Sequence, residues 1–396
     1  MAASLNLILV EIAWPAALAL AWVAGEFGRR WLGLPRISSY AIAGFLMASS
    51  QGGFLSQPSG EAMVLLTNVA LALILFELGY RINLGWLRAN PWLGATSVVE
   101  ATGTFAVVFF IARIFDQAPI PSLLLAALAV PTSPAAVLRV VNELRGSGQV
   151  TERTLHLSAF NCVFAVVAFK AVVGYAMLTG NGGVFTAVWN SVVVVLVSAG
   201  LGTLFGVAVP GLLRVTGGLT HHTTVAFALA VLLLTALTDA FKFSPILAAL
   251  AFGLVARHRR VLLSQAQRNF GALGDLLTVL LFVFIASTLD WRHVVAGIEL
   301  GAAVLMARLL VKTCATTLFA RISGLSWRKG ALTGVALMPL SVFSMMLLEQ
   351  TRHLDAKLVE HLPGVAAMML LLNVLGPLAT QWALCRAGEA QPGREG

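Results

Sequence analysis

An apolar stretch running from about Pro119 to Val141 is interrupted at its centre by Pro131-Thr132-Ser133-Pro134. Two prolines three apart cannot lie inside one continuous helix. Each removes a backbone donor and clashes with the preceding turn. In lipid, the freed carbonyls must find partners within the protein or line a polar cavity. A Thr-Ser pair between those prolines, at bilayer depth, reads as an unwound helix that presents polar atoms for binding. A second interruption comes at Met338-Pro339-Leu340-Ser341.

That bilayer depth follows from composition. Apolar residues make up 59% of the 396-residue chain and charged residues 11%, where soluble domains carry roughly 25% charged residues. Thirteen apolar blocks can be placed at about 6–28, 37–52, 62–80, 91–112, 119–141, 154–178, 184–213, 222–240, 243–256, 272–289, 293–320, 330–349 and 361–385. Most reach the ~20 residues a spanning helix needs, although the second and ninth are short. Uninterrupted apolar runs exclude a membrane β-barrel, whose strands alternate. The expected fold class is an all-α polytopic membrane protein with about thirteen transmembrane helices. The first block lacks a basic start, contains Glu11 and precedes Arg29-Arg30, so it reads as a retained helix and not a signal peptide. Residues 1–386 form one membrane unit, and 387–396 a short cytosolic tail with no regulatory domain expected. Cys162, Cys314 and Cys385 fall in membrane blocks without metal or redox spacing. No cofactor is expected.

Alternate assignment of the loops puts 18 basic residues on one side and 5 on the other, with Lys170, Arg308 and Lys312 left within the membrane. The positive-inside rule then places the amino terminus outside and the carboxyl terminus in the cytosol of a cell (inner) membrane. The net charge of +9 is accounted for by this bias and by attraction to anionic membrane lipid. It calls for no nucleic acid.

The interrupted blocks are the fifth and the twelfth. An odd separation makes them cross the membrane in opposite directions, the arrangement of inverted repeats with two crossing broken helices. Such breaks in matching places of two chain halves point to the substrate site of a secondary transporter. Pro339 alone could also be an ordinary kink.

Several motifs, in order, resemble the monovalent cation:proton antiporter superfamily, which holds the sodium/proton exchangers and Kef-type potassium/proton antiporters. VALALILFELG over Val69–Gly79 resembles their third helix, and Leu34-Pro35 with Tyr40 to Gly44 their second. Thr132-Ser133-Pro134 matches the unwound-helix motif. FSPILAALAFG over Phe243–Gly253 resembles a later helix, as does Leu276 to Leu289 closing on Asp290. Arg308 falls where the family keeps a basic residue. The resemblance implies a homodimer, a dimerisation domain, and a core domain, including about 91–178 and 272–385, that moves like an elevator. It implies that the broken helices cross at an ion site built from Thr132, Ser133, Asn161 and Arg308, with a monovalent cation and a proton as partners.

The chain departs from that pattern at the charge carrier. Where the family has Asn-Asp or Asp-Asp after the first broken helix, this chain has Asn161-Cys162. Ser133 replaces the acid of Thr-Asp-Pro. Hard cations prefer oxygen to sulfur, and a free thiol titrates near ~8.5. Cys162 is therefore a poor cation ligand and proton carrier near neutral pH, and packing alone would account for it. Restoring the acid by Cys162→Asp is expected to revive cation binding.

The carboxylate left well inside the membrane is Glu100, a functional candidate because burial makes it costly. The alternative is a buried salt bridge to Lys170, Arg308 or Lys312. Lys170 lies eight residues beyond Cys162, roughly 80° round and ~12 Å along the helix. Arg308 and Lys312 share one helix face. Glu77, four residues from Arg81, reads as a structural pair. His221-His222 could sense pH or simply sit at an interface. A basic excess in the core leaves open a transporter of the same fold for an anion or neutral solute, or a non-transporting sensor. The chain shows no nucleophile triad or phosphate loop, so an enzyme is not expected.

Overall fold

The computed structural model describes residues 2–55, 61–177, 184–215, 223–259, 270–345 and 363–391. His221, His222 and the expected turn at 180–183 lie outside the described residues. Helices, in chain order, are α1 (Ala2–Leu32), α2 (Arg36–Met47), α3 (Glu61–Arg81), α4 (Leu84–Ala89), α5 (Trp92–Ile114), α6 (Pro119–Ala129), α7 (Pro134–Glu143) and α8 (Gln149–Met177). They continue as α9 (Val184–Val215), α10 (Thr223–Ala240), α11 (Pro245–His258), α12 (Gly271–Ser287), α13 (Trp291–Ala296), α14 (Ile298–Leu318), α15 (Trp327–Ala336) and α16 (Pro363–Arg386). Each of the thirteen apolar blocks holds helix. The fifth is split into α6 and α7. The twelfth runs as α15, stops, and resumes at 343–345. The short helices α4 and α13 were not expected. Asn83 and Asp290 cap them by accepting backbone N–H groups of the first turn, and segments of six residues carry too little apolar periodicity to be read from sequence.

Serine followed by proline starts two helices in the same way. Ser133 accepts from Ala136 N and Ser244 from Leu247 N, with Pro134 and Pro245 at the first helical position, where a missing N–H has no consequence. Among the described residues, five helices are long and apolar enough to cross a membrane: those over Trp92–Ile114, Gln149–Ala176, Val188–Val215, Thr223–Ala240 and Gly364–Arg386. α9 shows its apolar side chains outward, with Leu196, Leu204 and Leu212 exposed, as a lipid-facing helix does. α3 is the opposite case. Every residue from Val69 to Tyr80 is buried, so its apolar residues run all round the helix.

α3 crosses α11 at close range. A Cβ on Gly79 would meet the carbonyl oxygen of Leu250, and one on Gly253 would meet that of Phe76. Small residues let membrane helices approach this way. Around the crossing, the Phe76 ring lies 4.8 Å from Phe252, 5.2 Å from Phe227 and 5.8 Å from Phe270. α11 also packs on α9, while α14 packs on α5, α15 and α16.

Candidate functional site at two crossing helix breaks

The prolines decide which carbonyls are free. Pro134 has no N–H to offer Val130 O, and Pro339 none to offer Val335 O, which accepts from Met338 N at 3.3 Å instead. In place of helix, residues either side of the breaks pair with each other. Ser133 N donates to Pro339 O at 2.8 Å and Ser341 N to Pro131 O at 3.3 Å, closing an antiparallel bridge between Thr132 and Leu340. The Thr132 hydroxyl donates to Leu337 O at 2.8 Å, and Ser344 to Leu128 O at 2.8 Å. Gly376 of α16 backs the break so closely that a Cβ there would collide with Pro339. Both breaks are thus held open by specific partners, and Pro339 marks more than a kink.

Cationic side chains of α14 cover the carbonyl ends. Arg308 donates to Pro131 O at 3.4 Å and Met338 O at 3.3 Å, bridging the two breaks. Lys312, one turn further, donates to Val130 O at 3.2 Å and forms an ion pair with Glu100 of α5. All three charged side chains are fully buried. Carbonyl ends of helices carry partial negative charge, which favours cations there. Among the three partners open to Glu100, the structure selects Lys312.

Asn161 of α8 donates to the Thr132 hydroxyl at 3.3 Å. Its Oδ1, the second carboxylate oxygen Oε2 of Glu100, and the Nε and Nη1 groups of Arg308 are buried with no hydrogen-bond partner among the described residues. Buried polar atoms without partners are uncommon and call for an explanation.

Two of the candidates form no hydrogen bond or ion pair with this cluster among the described residues. Cys162, adjacent to Asn161 on α8, is a buried free thiol in the same apolar core that holds Met338 and Leu340 at the second break. Lys170 is half-buried and makes no ion pair among the described residues, so it does not add to the charge at the breaks. The core excess counted from sequence shrinks to Arg308 and Lys312 against Glu100.

Other polar contacts lie nearer the ends of the helices. Glu77 pairs with Arg81 at 3.4 Å, as expected, and also accepts from Asn142 at 3.1 Å. Arg139 pairs with Asp275 at 2.7 Å. Within the stretch expected as a short cytosolic tail, Gln391 N donates to Leu144 O at 3.0 Å. Glu389 is buried and accepts from Val150 N at 3.0 Å and Thr151 N at 2.8 Å, capping α8. No local signal reveals that contact, because its partners lie about 240 residues away.

Residues 16–383 match the family described as sodium/hydrogen exchanger, transmembrane. The Na(+)/H(+) antiporter NhaP of Pseudomonas aeruginosa is 26% identical over 276 residues, a match spanning 64% of this chain and 64% of that protein, under two thirds of its length. Two structures of the sodium proton antiporter MjNhaP1 from Methanocaldococcus jannaschii share the fold. One, at pH 8, has a TM-score of 0.66 at 17% identity, covering 96% of each chain. The other has a TM-score of 0.69 at 18% identity, covering 96% of this chain and 98% of that one. Family models, relatives and fold agree with the motif order in the sequence: this chain is a multi-pass membrane protein that belongs to the sodium/hydrogen exchanger family, a family of transporters and not of enzymes.

Proposed function

We propose that the chain is a secondary transporter exchanging a monovalent cation for a proton, and that the Glu100–Lys312 pair is its exchange centre. The observation that carries this reading is the position of that pair on the free carbonyl of Val130, beside the crossing breaks. A hard cation seeks oxygen ligands. The unpartnered Glu100 Oε2 and Asn161 Oδ1, with the Thr132 hydroxyl and the carbonyls of Pro131 and Met338, are oxygen atoms of that kind.

The exchange follows from competition. A cation drawn to Glu100 displaces the Lys312 ammonium. A buried ammonium without its carboxylate is an uncompensated charge, which is strongly unfavourable. Lysine relieves it by giving up a proton. One cation enters as one proton leaves, and the site keeps its net charge. The expected exchange is one for one and electroneutral. Arg308 stays charged and holds the two breaks in register. Cys162 takes no part.

The reading extends to the whole molecule by family likeness and charge bias. The amino terminus lies outside and the carboxyl terminus in the cytosol of the cell membrane, the protein is a homodimer, and the broken-helix core moves as an elevator against the remainder. A transported anion is the second reading, favoured by the single surplus positive charge of Arg308 and Lys312 against Glu100. Purified protein in proteoliposomes with an imposed pH gradient separates the two. Sodium, potassium or lithium should collapse the gradient, at a rate unchanged when valinomycin and potassium clamp the voltage at zero. Collapse driven only by varying the anion would replace the cation reading, and no ion-dependent collapse would refute exchange altogether.

A further inference from the structure

A cavity of about 720 Å3 opens where α3, α7 and α11 end and α8 begins. Three arginines from separate elements line it: Arg81 at the end of α3, Arg145 in the turn after α7, and Arg257 in the last turn of α11. Among the described lining residues, the carboxylate facing them is Glu152. Charge bias between the two membrane sides explains why arginines occur at these loops. It does not explain why three of them converge on one concavity.

The arginines are differently placed. Arg257 is fixed by donating to Tyr80 O at 3.0 Å and Arg81 O at 2.6 Å. Arg81 is held by Glu77 and Asn142. Arg145 is exposed, and its backbone lies in the left-handed region at φ 47°, so the turn itself fixes where its side chain starts. A guanidinium has five N–H groups, and both contacts of Arg257 use Nη1. Asn142, also in the lining, gives one amide N–H to Glu77 and has a second.

We propose that this cavity binds a phosphate-bearing anion. Guanidinium forks match phosphate oxygens in pairs, and a concave, low-dielectric wall concentrates their positive potential. The volume lies within the ~300–1,000 Å3 of small-molecule sites. The phosphate can be that of a soluble polyphosphate or of a lipid headgroup. An occupant would brace α7 and α8 against α3 and α11. The cavity is separate from the helix breaks, since Thr151 and Asn161 are ten residues apart on α8, about 15 Å along its axis. The proposal does not rest on the exchange reading, and its test involves no transport.

The test is thermal unfolding of the full chain in phosphatidylcholine nanodiscs, titrated with pyrophosphate against sodium chloride at matched ionic strength. A second set of discs carries a small fraction of phosphatidylglycerol. Either source should raise the unfolding midpoint saturably. Arg145→Gln should raise the half-maximal concentration roughly tenfold or more, the loss expected for one charge-assisted contact. Arg145→Lys should retain part of the effect, and Arg88→Gln, an exposed arginine outside the cavity, all of it. A response to pyrophosphate identifies a soluble ligand, and a response to phosphatidylglycerol alone identifies the headgroup. No response to either, or a response equal in Arg145→Gln or reproduced by sodium chloride, overturns the proposal.

Discussion

Two of the places where helices come within backbone contact differ completely in their chemistry. At the α3–α11 crossing, glycines remove the side chains, both helices stay continuous, and phenylalanine rings fill the surroundings. At the crossing of α6–α7 with α15, prolines remove backbone donors, the helices unwind, and Arg308 and Lys312 cover the exposed carbonyls. At the first crossing both helices run on unbroken past the contact. The second gives up helical bonds and gains addressable oxygens. Stability should therefore reside in the first crossing and ion chemistry in the second.

That division is most severely tested by Glu100→Gln. The substitution strands Lys312 as an unpaired buried charge, at a cost of about 3–5 kcal/mol, and should abolish flux in proteoliposomes. The double variant Glu100→Gln/Lys312→Gln should recover most of the thermal midpoint, since removing both partners leaves no orphaned charge. It should not recover flux. A double variant that still transports would move the exchange centre elsewhere.

Gly253→Val is the matching challenge to the other crossing. Its side chain would overlap the Phe76 carbonyl, and overpacking of this kind costs about 1–3 kcal/mol or more. The yield of folded protein and its unfolding midpoint should fall, while the apparent cation affinity of the folded fraction is unchanged. A selective loss of affinity would show that the two crossings are not divided as described.

Thr132→Val sharpens the comparison. It removes the donor to Leu337 O and the acceptor for Asn161, a loss of about 1–3 kcal/mol. Apparent cation affinity in flux titrations should weaken roughly tenfold, with a smaller change in midpoint. Cys162→Ala should do least. The thiol packs in the apolar core, so a shift of about 1 kcal/mol and unchanged flux are expected.

How legible each crossing is in the sequence follows from its chemistry. Prolines act locally, so Pro131, Pro134 and Pro339 announce their breaks, and long apolar blocks announce their helices. Partner choice is not local. Glu100 could have met any of three cations, and which one depended on how α5 and α14 pack. Asn161 and Cys162 are adjacent in the chain, yet among the described residues it is Asn161 that makes a hydrogen bond to Thr132 at the break. Glu389 capping α8 had no sequence signal, as it joins residues about 240 apart in the chain. The motif order identified the family, but the family's missing acid could be set against Glu100 only once the Lys312 pair was seen.

The central claim, that a cation and the Lys312 proton compete at Glu100, is most directly tested without transport. Sodium, potassium or lithium chloride is titrated into weakly buffered, detergent-solubilised protein near pH 7.5, and released protons are counted against bound cation. Release of one proton per cation by wild type, with none from Lys312→Gln, is the expected result. Cation binding without proton release, or undiminished release from Lys312→Gln, would contradict it.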